Sequence, residues 1–398
     1  MLLIRDLAQV ATPAPGPTPR RGEALRAVTV IEDAYVLCSD GQIEAVGRMR
    51  DLGPLPGDVQ ELHGRGLCAV PGLIDCHTHP AWGGDRVEEF SLRAGGASYE
   101  ELHAAGGGIL STVRATRRLD DAGLAARVAR HAEWFRRHGT TTWEGKSGYG
   151  LDLETELASL RAVETAGGLP TWLGAHAVPP EFETGDDYVD YALGEVLPAV
   201  RDVAVAADVF LERGAFDAGQ ARRYLSACRE AGLALRLHGD QFTESGAIPL
   251  AIELGARSVD HLEATGDDGA RALAASSVVG VLLPASALFL DRPMPPARAL
   301  ADAGAALALA TDFNPGSAFT SSLPLVCSLA CTQLHLSPAE ALTAVTVNAA
   351  HVLGLRDRGC VAPGYRADVL LVDAPDWRYL AYHLAGDLVA AVVRNGLP

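Results

Sequence analysis

From about residue 71 the chain repeats one unit: a short apolar run, a polar loop, then a stretch whose apolar residues recur at helical spacing. Eight apolar runs can be counted: LCAVPGLID (67–75), TTTWEG (140–145), PTWLGA (170–175), VAADVFL (205–211), LALRLH (233–238), RSVDHL (257–262), VVGVLL (278–283) and AALALATD (305–312). Between them, segments such as LAARVARHAEWFRRHG and AGQARRYLSACREAG carry the helical period and end in Gly139 and Gly232, which suit helix C-termini. Near-continuous apolar strands alternating with helices imply a parallel sheet covered by helices, and eight repeats imply closure into an α/β fold of the (β/α)8 TIM-barrel type over residues 67–357. A doubly wound open sheet is the structural alternative.

The flanks are patterned differently. Residues 1–66 and 358–398 contain β-type runs (AVTVIEDAYVLC, QIEAVG, ADVLLVD, LVAAVVRNG) separated by Gly, Pro and Asp, so both chain ends are expected to build one small β-sandwich domain together. Residues 12–21, TPAPGPTPRR, have the composition of a loop.

Composition narrows the class of function. The 398 residues suit one barrel plus an appendage, since such barrels take about 250 residues. No window approaches the roughly 20 consecutive apolar residues of a membrane span. The opening MLLIRDLAQVATP lacks an apolar core followed by a small-residue cleavage site, so export is not expected. Seven cysteines, an odd and scattered number without a CxxC pair, suit buried thiols in a reducing cytoplasm. A net charge of −17 disfavours nucleic acid and anionic membranes and leaves a small molecule as the expected partner.

Chemistry-bearing residues stand at or just beyond the strand ends: His77 and His79, then Lys146 and Tyr149, His176, Glu212, His238, His261 and Asp312. In a barrel those ends share the face where active sites are built. His77 and His79, two apart in an extended segment, point their imidazoles to one side. With His238 and Asp312 they supply three nitrogens and one oxygen, a set suited to zinc or iron(II) with a position left for water.

The stretch PGLIDCHTHP, a lone strand-end His, a late TD and the C-terminal GYRADVLLVD together resemble the amidohydrolase superfamily. More narrowly, RVEEFSLRAGGASYEEL (86–102), GGGILSTVRATR (106–117), EGKSGYGLDLETEL (144–157), GAHAVPPEF (174–182), LHGDQF (237–242), SVDHLE (258–263) and ATDFNPGS (310–317) resemble the imidazolonepropionases. The resemblance implies hydrolysis of the cyclic amide of 4-imidazolone-5-propanoate to N-formimidoyl-L-glutamate in histidine degradation, and a homodimer. It implies one divalent metal ion, zinc or iron, held by His77, His79, His238 and Asp312. It also implies a substrate and product site lined by Arg86, Tyr149, His176, Gln241, Asn314, Gly316 and Ser317. Departures from the family pattern are Gly239, Gly145, and Gln241 where some members have Glu. Strand four ends in Glu212 rather than the Lys that bridges two ions elsewhere in the superfamily, which favours one metal.

Each residue has a functional and a bland reading. Asp312 can accept a proton from water and pass it to the ring nitrogen, while His261 can orient the water or stabilise the oxyanion, or be a structural histidine. Arg86 can clamp a carboxylate with its planar fork, or be a helix-face arginine paired with Glu89 at i+3. Tyr149, in the loop GYG, can act as a hinged lid or as a packed aromatic; His176 is expected to donate a hydrogen bond to substrate. Asn314 and Ser317 can hydrogen-bond product and Gly316 can permit close approach, or NPGS can be ordinary turn chemistry. Glu212 and Lys146 are expected to pair in the barrel mouth. The run GGGIL lacks the lysine and preceding strand of a phosphate loop. The rival functions are an amidohydrolase for another cyclic amide or aminated heterocycle, and a non-catalytic barrel.

Overall fold

The computed structural model describes residues 1–55, 57–96 and 107–398; parts of RVEEFSLRAGGASYEEL and the first glycine of GGGIL lie outside them. In chain order the strands are β1 (Leu2–Pro13), β2 (Val28–Ser39), β3 (Gln42–Arg48), β4 (Gln60–His63), β5 (Cys68–Pro71), β6 (Leu73–Asp75), β7 (Thr140–Lys146) and β8 (Leu169–Ala175). They continue with β9 (Ala206–Leu211), β10 (Ala234–Gly239), β11 (Ser258–His261), β12 (Val279–Leu282), β13 (Ala306–Leu309), β14 (Val369–Val372) and β15 (Val389–Val393). Strands β6 to β13 lie side by side in sequence order and are parallel, with helices between them. This is the expected (β/α)8 arrangement, and all eight apolar runs contribute to it.

The first run divides. Cys68–Pro71 pairs with β14 and β1 in the other sheet, and only Leu73–Asp75 enters the barrel. Gly72 makes the crossing: a Cβ there would lie 2.4 Å from the Thr141 hydroxyl of β7, so only glycine lets the chain pass this close. The barrel seam between β6 and β13 is closed by the loops beyond them. Asp312 N donates to His77 O (3.1 Å), His79 N donates to Phe313 O (2.9 Å), and the Asp75 carboxylate accepts the amide and hydroxyl of Thr311. The two segments richest in candidate ligands are thus fastened to each other by backbone bonds.

The terminal segments form one continuous mixed sheet of seven strands, not two separate sheets. Strand β1 is long enough to serve both halves: Leu2–Arg5 pairs with β4, the register shifts between Ile4 and Leu7, and Gln9 and Val10 pair with β5. Strand alternation then couples this sheet to the barrel. Val369 and Leu371 of β14 join the core of the terminal sheet, whereas Leu370 and Val372 join the main core.

Helix ends follow their sequence signals. Asp120 and Asp217 cap the helices Asp121–Arg137 and Ala218–Glu230, and Gly139 and Gly232 follow them in the left-handed conformation (φ 86° and 92°). Six of the seven cysteines are buried and all are free thiols. Among the described residues no helix is long and apolar enough to cross a membrane.

Candidate active site

Three imidazoles and a carboxylate converge beyond the strand ends. His79 Nε2 lies 3.2 Å from His77 Nε2 and 3.3 Å from His238 Nε2, and Asp312 Oδ1 lies 3.5 Å from His77 Nε2 and 3.3 Å from His79 Nε2. All four residues are at most 3% exposed. His261 extends the group, its ring 5.3 Å from that of His238 and 5.8 Å from that of His77. Asp312 and His261 both have positive φ (53° and 87°), backbone conformations that residues other than glycine rarely adopt.

Two groups of three donors here could each hold a metal ion, His77 with His79 and Asp312, and His77 with His238 and His261, and they share His77. His77 Nδ1 donates to Asp260 Oδ2 at 2.6 Å, which fixes the tautomer and leaves Nε2 as a lone pair aimed at its neighbours. His238 Nδ1 likewise lies 3.1 Å from Asp208 Oδ2. Nitrogens bound tetrahedrally at 2.0–2.1 Å from a common ion are about 3.3 Å apart, close to the His77–His79 and His79–His238 separations of 3.2 and 3.3 Å. Burial and Lys146 both disfavour a second proton on His77, yet Asp260 and Asp312 outweigh them and raise its pKa to about 9, so a metal ion binding at Nε2 would take the place of that proton. The electrostatics of the cluster therefore favour a positive charge at this spot.

Beneath the cluster lies a buried ionic network that strand-end reasoning missed. Lys146 Nζ is 2.7 Å from both Glu144 Oε1 and Asp208 Oδ2, and Arg236 Nη1 is 2.9 Å from Glu144 Oε1. Burial opposes the charge on Asp208, but His238 and Lys146 hold its carboxyl well below the usual range. The expected pairing of Lys146 with Glu212 does not form. Lys146 points down into the barrel, while Glu212 turns outward to accept the amides of Phe242 (2.8 Å) and Thr243 (3.2 Å). That contact fixes the loop bearing the half-buried Gln241. The signal for the network was present: Asp208, Arg236 and Asp260 are charged residues inside otherwise apolar strands.

The other candidates surround the cluster. The His176 ring stacks on His79 with centroids 5.5 Å apart, and Tyr149 lies 5.2 Å from His176 and 6.1 Å from His79. Burial lowers His176 to about 3, so its ring is neutral, and its Nδ1 donates to Gly148 O at 2.9 Å. The remaining Nε2 is consequently an acceptor, not the donor expected from sequence. Nor does the Tyr149 loop have the freedom of a hinged lid. The buried Glu156 carboxylate accepts the amides of Gly148, Gly150 and Leu151, and Tyr149 itself is buried.

Asn314 is a brace. Its Nδ2 donates to Asp312 O (2.6 Å) and Ser317 Oγ (2.7 Å), and its Oδ1 accepts the amides of Gly316 and Ser317. Its side-chain capacity is spent within the turn, so a direct bond to product is not available in this conformation. Ser317 Oγ lies 3.4 Å from Asp312 Oδ2. Arg86 is paired with Glu89, and its Nη1 lies where a side chain on Gly316 would be, 2.7 Å from an added Cβ.

Comparison with known proteins gives this arrangement its context. The profile described as "Amidohydrolase family" matches residues 93–398. An imidazolonepropionase of Rubrobacter xylanophilus is 59% identical over 99% of this chain and 97% of its own. One of Chloroflexus aggregans is 45% identical over 99% and 97%. Among solved structures, an adenosine deaminase from Xanthomonas campestris with bound zinc superposes with a TM-score of 0.73 at 21% identity, covering 100% of this chain and 92% of that one; at that identity it speaks for the fold. A barrel with a His-rich, carboxylate-completed cluster at its strand ends, matched almost end to end by these relatives, belongs to the imidazolonepropionase family of amidohydrolases.

Proposed function

We propose that the protein hydrolyses the cyclic amide of 4-imidazolone-5-propanoate to N-formimidoyl-L-glutamate, a step of histidine degradation. The observation that carries this reading is the 59% identity to an imidazolonepropionase over 99% of the chain. In it, one ion, zinc or iron, is held by His77, His79, His238 and Asp312, and would lower the pKa of water to about 7 and polarise the amide carbonyl.

The chain's own residues do the rest. Asp312 Oδ1 faces His77 and His79, which leaves Oδ2, beside Ser317 Oγ, to accept the proton of the attacking water. As the water oxygen bonds to the carbonyl carbon and the C–N bond breaks, Asp312 returns that proton to the ring nitrogen. His261 orients the water, and His176 Nε2 accepts an N–H of the ring. Arg86 binds the propanoate carboxylate through its guanidinium, with Tyr149, Gln241 and Ser317 beside the substrate and Gly316 giving the arginine room. Asn314 holds the Asp312–Ser317 turn in place. We further infer a cytoplasmic homodimer acting on a small molecule, from the seven free thiols, the charge of −17 and the family resemblance.

The test is consumption of freshly generated 4-imidazolone-5-propanoate by purified protein, with metal quantified on the same sample. Turnover with about one ion per chain, abolished by chelation, is the expected result. A full metal site without turnover would redirect the search to another cyclic amide, and protein purified and refolded with metal that still bound none would overturn the reading.

A further inference from the structure

The helix Val87–Ala94 carries Arg86 at its N-terminal end and has no buried residue; Phe90 and Leu92 are about half exposed. An arginine on such a helix ordinarily samples many rotamers, yet the Arg86 side chain is only 12% exposed and that of Glu89 16%. The reason is a contact made beyond the helix. Glu89 Oε2 accepts Arg86 Nε at 2.6 Å, and Oε1 accepts Arg86 Nη2. The same Oε2 accepts the amide of Gly108 at 2.9 Å, immediately ahead of the helix Ile109–Thr116.

An i,i+3 surface pair would end at the first two bonds. The third ties the pair to a separate segment and makes it a fixed bracket. Glu89 occupies one edge of the guanidinium, Nε with Nη2. The other edge, Nη1 with the second N–H of Nη2, has no hydrogen-bond partner among the described residues, and Nη1 lies against Gly316 in the turn that also carries Asp312 and Ser317. Two parallel N–H groups on a rigid plane are the complement of one carboxylate.

We propose that Glu89 is a positioning residue for carboxylate recognition: by taking the inner edge of Arg86 and anchoring it to Gly108, it presents the outer edge to the carboxylate of the substrate. The inference rests on the reading of Arg86 as the group that binds the propanoate. It gives Glu89 a defined sign. A carboxylate that merely competed with substrate for Arg86 would weaken binding, and its removal would lower KM. A bracket improves binding, and its removal raises KM.

The experiment is a double-mutant cycle over Arg86→Ala, Glu89→Ala and the double variant, with Glu89→Gln as the conservative change. Read-outs are kcat and KM for 4-imidazolone-5-propanoate, calorimetric Kd for N-formimidoyl-L-glutamate, metal content and Tm. Releasing one ordered arginine costs about a fivefold to tenfold rise in KM and product Kd for Glu89→Ala, with kcat, metal content and Tm held. Glu89→Gln, which keeps one acceptor oxygen, falls between. Added to Arg86→Ala, the Glu89 change has no further effect. An unchanged or lowered KM in Glu89→Ala, or an equal rise in the Arg86→Ala background, overturns the proposal. If Arg86→Ala itself leaves KM and Kd alone, the carboxylate-binding reading of Arg86 fails and takes this one with it, an outcome distinguished by the single arginine variant.

Discussion

A neutral imidazole binds a cation through one nitrogen only when its proton sits on the other, and Asp260 enforces that for His77. Asp260→Asn should therefore weaken metal binding by about 10–100-fold while the fold persists, read by competition with a chromophoric chelator; an unchanged affinity would remove Asp260 from this role. His238→Ala should strip most of the metal and the activity together, and full metal content in that variant would take His238 out of the ligand set. A different histidine governs acid stability. His131 is stacked on Trp82, donates to Pro80 O, and is lowered by burial to about 4. Its unfolded form takes up a proton below about pH 6.5 and its folded form only near 4, so more protons are bound when unfolded, and stability falls as pH drops through that window. The loss between pH 7 and pH 5 is about 2 kcal/mol. Urea midpoints at the two pH values should show that difference shrinking in His131→Phe, and an identical pH slope in both proteins would refute the assignment.

Elements explain which residues were legible beforehand. Strand ends were easy to find because apolar runs stop abruptly there, and HTH, His238 and TD stood out as polar side chains at those stops. Lys146 and Glu212 stood at such stops too, but a strand end leaves open whether the last side chain points into the barrel or into the loop above it. Lys146 points in, toward Glu144 and Asp208, and Glu212 points to the amides of the next loop. Arg86 satisfied its functional and bland readings at once, since the pair with Glu89 forms and also borders Gly316. In GYGLDLETEL the glycines around Tyr149 suggested mobility, yet Glu156, seven residues further on, removes it by accepting three amides, a contact across several residues that spacing alone does not reveal. Glu156→Ala should leave those buried donors unsatisfied and cost about 2–4 kcal/mol, with faster hydrogen exchange at Gly148, Gly150 and Leu151. Unaltered exchange would mean that the loop is held by something else.

Over the whole molecule, the two sheets share a wall. One face of β14 packs into the terminal sheet and the other into the main core, where Leu370 fills the space a side chain on Gly139 would need. Leu370→Ala should destabilise the protein by about 2–5 kcal/mol and shift a single calorimetric transition; separation into two transitions would show that the sheets unfold independently. Sequence periodicity identified both ends as β-rich, but a strand buried on two faces belongs to both neighbours, which a division into segments does not express. The same wall sets a schedule for biosynthesis. Strand β5 emerges early, while its partner β14 is separated from it by the 297 residues of chain between Pro71 and Val369, about 15–60 s of translation. For that interval the nascent polypeptide carries, beside β1, a strand edge that β14 has yet to cover.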